Sequence, residues 1–90
     1  MIKSFSSKGL EELFEKGRTA KIGANFIEKC VIILTLLNDA ESLDDLKIPA
    51  YRFHALATKP VRYSMRVNKN YRITFEWDDG AAKVDFEDYH

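Results

Sequence analysis

Near residue 50 the spacing of apolar side chains changes from every third or fourth position to every second, and this change of period narrows the available folds more than any other feature. The stretch Tyr71-Arg72-Ile73-Thr74-Phe75-Glu76-Trp77 alternates without a fault. Tyr71, Ile73, Phe75 and Trp77 share one face of a strand, and Arg72, Thr74 and Glu76 share the other. Alternation of this kind predicts four strands, at about Tyr51 to Leu56, Tyr63 to Val67, Tyr71 to Trp77 and Ala81 to Tyr89. Asn68-Lys69-Asn70 and Asp78-Asp79-Gly80 have the length of hairpin turns, with Gly80 placed to take a positive φ.

Ahead of the change, Ile2 to Phe5 reads as a short strand, followed by a helix that Ser6 or Ser7 caps and that runs to about Lys16. Leu10, Leu13 and Phe14 form its buried stripe, and Gly17 is its C-cap. A second helix is expected from about Asn25 to Asp39, with Ile27, Cys30, Val31, Leu34 and Leu37 as its stripe. Ile32, Ile33 and Leu36 remain, and a helix apolar nearly all round must be covered on two sides. Either a protein partner binds those three residues, or the first helix and residues 41 to 50 cover them. Ser42 with Asp45 predicts a one-turn helix ended by Ile48-Pro49. Helices first and an antiparallel meander after them indicate an α+β fold, with two N-terminal helices on one face of a twisted, mainly antiparallel sheet. With 90 residues, 46% of them hydrophobic, there is room for one core, so residues 1–90 are expected to form a single domain.

The 14 Lys and Arg balance the 14 Asp and Glu, so net charge does not advertise a nucleic-acid binder, but its distribution is uneven. Asp39, Glu41, Asp44 and Asp45 are clustered without a base, whereas Lys59, Arg62, Arg66, Lys69 and Arg72 follow one another without an acid. The lone cysteine, Cys30, sits in an apolar run and reads as a small buried hydrophobe in a reducing compartment. Met1-Ile2-Lys3-Ser4 does not open a signal peptide, and Cys30 to Leu37 is too short to span a bilayer, which needs about 20 residues. A cytoplasmic, non-membrane protein is expected.

Strand parity gathers Arg52, His54, Arg62, Arg66, Arg72 and Lys83 on the face away from the core. Arg52, Lys59, Arg62, Arg66 and Lys69 are thus candidates to hold an RNA backbone. Strict alternation puts Asp88 and His90 beneath that face and Tyr89 on it, unless a bulge or twist brings all three to one edge. Metal-free RNA cleavage needs a base at the 2′-hydroxyl, a cation at the phosphate and an acid at the departing 5′-oxygen. His54 and His90, the chain's two histidines, suit proton transfer, and the planar fork of Arg72 suits the phosphate. Cys30, His54, Asp88 and His90 lack the close spacing of a metal site, and neither a metal nor a cofactor is expected.

Asn70-Tyr71-Arg72-Ile73-Thr74-Phe75 together with Phe86-Glu87-Asp88-Tyr89-His90 resembles the HigB-type branch of the RelE toxin superfamily. Met1-Ile2-Lys3-Ser4-Phe5, Lys8-Gly9-Leu10-Glu11, Leu43-Asp44-Asp45-Leu46, Ile48-Pro49, His54 with Leu56, and Ser64 with Arg66-Val67-Asn68 fall in the same order as in that family. The resemblance implies a toxin–antitoxin component that cuts messenger RNA on the ribosome without a metal, with His54, Arg72, Asp88, Tyr89 and His90 in catalysis or RNA contact. It further implies a HigA-type helix-turn-helix antitoxin and a toxin–antitoxin heterotetramer. After His54 the family continues Pro-Leu-Lys-Gly-Asp-Arg, whereas here Ala55-Leu56-Ala57-Thr58-Lys59-Pro60-Val61-Arg62 follows. Ala57 stands where a Lys is expected, and Lys59 or Arg62 are the candidates to restore its charge. A non-enzymatic module of the same fold, either a ParE-like gyrase inhibitor or a toxin that only binds its antitoxin, is the alternative.

Overall fold

The computed structural model describes residues 1–89; His90, expected at the site, lies outside the described residues. The first helix, α1 (Lys8–Lys16), begins where Ser7 accepts a hydrogen bond from the Leu10 amide, and it ends at Gly17 in the left-handed conformation. A 3-10 turn, Ala24–Phe26, leads into α2 (Ile27–Asp39). Ser42 and Asp45 form the reciprocal cap of a further 3-10 turn, Leu43–Leu46, and Pro49–Tyr51 makes another. The strands are β1 (His54–Ala55), β2 (Tyr63–Arg66), β3 (Tyr71–Trp77) and β4 (Ala81–Asp88). They form a four-stranded antiparallel sheet in the order β1-β2-β3-β4. Leu10 and Leu13 of α1, with Cys30, Ile33, Leu34 and Leu37 of α2, pack in one core with Met65, Ile73, Phe75 and Val84 of the sheet. The fold is α+β, as the change of period predicts.

Several elements depart from the sequence reading. Ile2 to Phe5 forms no full strand, although it runs parallel to β4 through Lys3 N to Ala81 O (2.7 Å) and Val84 N to Ser4 O (3.1 Å). Lys83, at a φ of 50° in β4, interrupts the ladder on which that strand would have been built. The first meander strand shrinks to His54–Ala55 because residues 49–51 coil into the 3-10 turn and Arg52 takes a left-handed conformation.

The phase of α2 also differs. Its buried stripe is Cys30, Ile33, Leu34 and Leu37, so Ile33 belongs to the core rather than to a partner face, while Val31 is exposed. A helix with apolar side chains on nearly every side offers no polar face to fix its rotation, and packing against α1 decides it. Phe14 is exposed as well, and with Leu13, Gly17, Val31, Leu34 and Thr35 it lines a shallow apolar depression of about 290 Å³. Ile32 is exposed and Leu36 half-buried, so of the three proposed partner residues these two stay accessible. Cys30 is buried, which pushes its thiol up to about 11. Among the described residues no helix is long and apolar enough to cross a membrane.

Gly80, with a φ of 148°, closes the β3–β4 turn, and a Cβ there would stand 2.7 Å from the Met1 carbonyl oxygen. Gly80→Ala is therefore expected to lower unfolding free energy by roughly 1–3 kcal/mol, from backbone strain and loss of the N-terminal docking. Urea denaturation of the two proteins measures the difference.

Candidate active site

Antiparallel register fixes which side chains share a face. His54 lies opposite Ser64, Ser64 opposite Thr74, and Thr74 opposite Asp85, so one row crosses all four strands. A second row runs from Arg66 to Arg72 to Glu87. Strand spacing puts the His54 and Arg72 backbones on the order of 12 Å apart, a gap that their long side chains can close around one phosphodiester. The face is of the parity opposite to Met65, Ile73, Phe75 and Phe86, which pack toward the helices.

His54 stands on a strand of two residues, and neighbouring aromatic packing keeps it in place. Phe53 stacks on Tyr63 with ring centroids 5.6 Å apart, and both rings lean on Phe75. The His54 Nδ1–H donates to the Arg52 carbonyl at 2.9 Å. Because a carbonyl can only accept, the hydrogen is on Nδ1, and the neutral ring keeps its lone pair on Nε2. His54 is exposed, so that lone pair is accessible.

Arg72 occupies the other row, its guanidinium carbon 5.1 Å from the centre of the Tyr89 ring. Tyr89 reaches this position because its amide donates to the Asn70 carbonyl and Phe86 stacks on Tyr71 beside it. Arg66 is directly opposite Arg72, yet among the described residues neither guanidinium has a carboxylate within ion-pair distance. Arg72 Nε and Ser64 Oγ are buried without a hydrogen-bond partner among those residues.

The structure thus brings His54, Arg66, Arg72 and Tyr89 to one face. Asp88 is opposite Tyr71 and so has the other parity, exposed at the end of β4. Among the described residues the register of β3 with β4 shifts between Thr74 and Glu76, too far along the strands to turn Asp88 over. His90 lies outside the described residues. Arg52, Lys59 and Lys69 are exposed around the face.

Arg62 is not a free cation. It donates to Thr74 Oγ1 at 3.0 Å and to the Lys83 carbonyl at 2.9 Å, and it pairs with Glu76 at 3.4 Å. Of the two candidates to replace the charge missing at Ala57, Lys59 alone remains available. Glu87 was not singled out in the sequence, since strand parity around Asp88 was ambiguous there; its place opposite Arg72 emerges only from the pairing of β3 with β4. Among the described residues no His, Cys, Asp or Glu side chains converge as a metal-ligand set.

Residues 3–90 match the family described as the RelE-like toxin of type II toxin–antitoxin system HigB. The chain belongs to the HigB-like toxin family. Endoribonuclease HigB of Proteus vulgaris is 38% identical over 92 residues, covering the whole of both chains. Toxin HigB-1 of Vibrio cholerae serotype O1 is 34% identical over 93 residues, all of this chain and 98% of that one. As a toxin of a type II system, this HigB-family protein has an antitoxin partner.

Like charges directly opposite on adjacent strands oppose folding. Arg66→Gln is expected to raise unfolding free energy by ~0.2–1 kcal/mol at low salt. The gain should shrink in 1 M salt, where screening has already removed most of the repulsion. Denaturation at the two ionic strengths measures it.

Proposed function

We propose that this HigB-family toxin is a metal-independent endoribonuclease that cleaves translated messenger RNA on the ribosome. The observation that carries the reading is Arg66 facing Arg72 with no carboxylate paired to either among the described residues, an arrangement that costs stability until an anion lies between them. A phosphodiester supplies that anion, and the planar guanidinium of Arg72 offers two parallel donors to it. The name of the Proteus vulgaris relative, Endoribonuclease HigB, supports the same activity.

In the proposed reaction, His54 Nε2 accepts the proton of a ribose 2′-hydroxyl, and the 2′-oxygen attacks the adjacent phosphorus. Arg72, with Arg66 beside it, stabilises the charge that grows on the non-bridging oxygens. The bond to the 5′-oxygen breaks, leaving a 2′,3′-cyclic phosphate and a 5′-hydroxyl. The proton for that leaving oxygen comes from the segment Asp88, Tyr89 and His90, with Tyr89 beside Arg72 and His90 assigned from sequence. Arg52, Lys59 and Lys69 bind flanking phosphates, whereas Arg62 supports the sheet. With zero net charge the protein has little general attraction for RNA, so the ribosome is proposed to deliver the substrate in the cytoplasm.

The antitoxin is proposed to be of the HigA helix-turn-helix type, assembling with the toxin as a heterotetramer. It would cover the apolar seam of Phe14, Val31 and Ile32 with half-buried Leu36. Ile32→Glu should weaken the complex in a pull-down while the toxin alone keeps its melting temperature. An unchanged affinity would remove this surface from the interface.

Arg72→Ala is expected to lower cleavage by roughly 10²-fold or more with little change in stability, and Arg72→Lys to recover only part of it. His54→Gln should lose a similar factor. The measurement is cleavage of an mRNA engaged on purified ribosomes, alongside the same RNA free in solution. Efficient cutting of the free RNA would reject ribosome dependence. Intact transcripts in growth-arrested cells would reject the ribonuclease.

A further inference from the structure

Arg72 and Glu87 are directly opposite each other on β3 and β4, on the same face of the sheet. Their Cβ atoms are then about 5 Å apart, a spacing at which opposite charges on long side chains normally pair. Here no ion pair joins them among the described residues. The side chains lean in opposite directions along the sheet. Arg72 turns toward Tyr89, and the Glu87 carboxylate turns toward Thr74, whose hydroxyl donates a hydrogen bond to Glu87 Oε2.

Thr74 is well placed to hold the acid there. Its side chain is fully buried, and its hydroxyl oxygen accepts from Arg62 Nη2 at 3.0 Å, which directs the hydroxyl hydrogen to Glu87. Arg62 in turn is fixed by the Lys83 carbonyl and by Glu76, both outside the Arg72 row. The result is a relay of donors, from Arg62 to Thr74 to Glu87, that ends by retaining a carboxylate.

We propose that Thr74, oriented by Arg62, is a positioning residue that holds Glu87 away from Arg72 and so keeps the Arg72 guanidinium open to the scissile phosphate. The proposal rests on the ribonuclease reading for its biological meaning, but the restraint on Glu87 can be tested without it. Without the Thr74 hydroxyl, Glu87 is free to swing across the strand pair and bind Arg72, where it competes with the phosphate as a built-in anion. Neither Thr74 nor Glu87 touches RNA in this scheme.

The test is a double-mutant cycle with Thr74→Val, which keeps the shape and removes the hydroxyl, and Glu87→Gln, which keeps the shape and removes the charge. Thr74→Val should raise KM for ribosome-bound mRNA, lowering kcat/KM roughly tenfold, as expected for coupled residues in one network. Glu87→Gln alone should cleave like the parent, and the double variant should return close to it. Thr74→Ser, which retains the hydroxyl, should retain activity. If Thr74→Val does not fold, Thr74→Ala takes its place in the cycle.

A second readout uses the Arg72 Nε–H signal in NMR during titration with inorganic phosphate. Phosphate should shift it in the parent, shift it more weakly in Thr74→Val, and shift it fully again in the double variant. Loss of cleavage in Glu87→Gln alone would make Glu87 a catalytic group and overturn the proposal. A Thr74→Val defect that Glu87→Gln leaves unrepaired would make Thr74 merely structural, with the same result. Should no variant, nor the parent, cut RNA, the ribonuclease reading fails, and the phosphate titration still decides whether Thr74 restrains Glu87.

Discussion

The register of β3 is the constraint on which the site depends. Ile73 and Phe75 are fully buried against the helices, and that burial fixes which way Arg72 and Thr74 point. A slip of one residue would drive an arginine and a threonine into the core and expose two large apolar side chains. Its neighbours secure the same choice, β2 through Met65 opposite Ile73 and β4 through Phe86 opposite Ile73. Aromatic packing holds the flanks, with Phe53, Tyr63 and Phe75 at the His54 side and Phe26, Tyr71 and Phe86 at the Tyr89 side. The side chains proposed for the chemistry are therefore positioned by apolar packing on the reverse of the sheet.

The equal numbers of acids and bases conceal an unequal use of them. Arg62 and Lys83 share Glu76 as a partner, and Lys3 pairs with Asp78, Lys21 with Glu12 and Lys47 with Asp44. Glu12 and Asp44 are each held below the usual carboxylate range, in both cases first by hydrogen bonds, from Thr19 and Lys21 to Glu12 and from Lys47 to Asp44. Those cations are paired, whereas Arg66 and Arg72 are placed side by side with no carboxylate paired to either among the described residues. Such local imbalance is invisible in a net charge, and it is the kind of destabilising feature that a binding site sustains against the interests of the fold.

Much of the architecture was legible because local chemistry and tertiary packing agree. Tyr71 to Trp77 alternates strictly and forms β3 over those same residues; Ser7 with Gly17, and Ser42 with Asp45, cap the segments they predict. Legibility failed where several solutions suit the local sequence. In α2 every rotation hides some apolar side chains and exposes others, so Ile33 and Val31 exchanged places. In residues 49–53 alternation was real but Pro49 and the left-handed Arg52 turned it into a coil before His54. At the site, His54, Arg72 and Tyr89 were visible as residue types on a shared parity. The engagement of Arg62 was not, because it links residues 62, 74, 76 and 83, and only the paired sheet makes them neighbours.

The sheet's two edges are guarded unequally. Beside β4, the Ile2 to Ser6 segment occupies backbone groups through Lys3, Ser4 and Ser6, and Ser4 Oγ takes the Lys83 amide. At the other edge, β1 offers only His54 and Ala55 before the chain turns away. Long unpaired edges invite strand addition and, at high concentration, aggregation. Both edges therefore leave little unpaired strand backbone for an intruding strand to copy, which removes the template on which edge-to-edge addition depends.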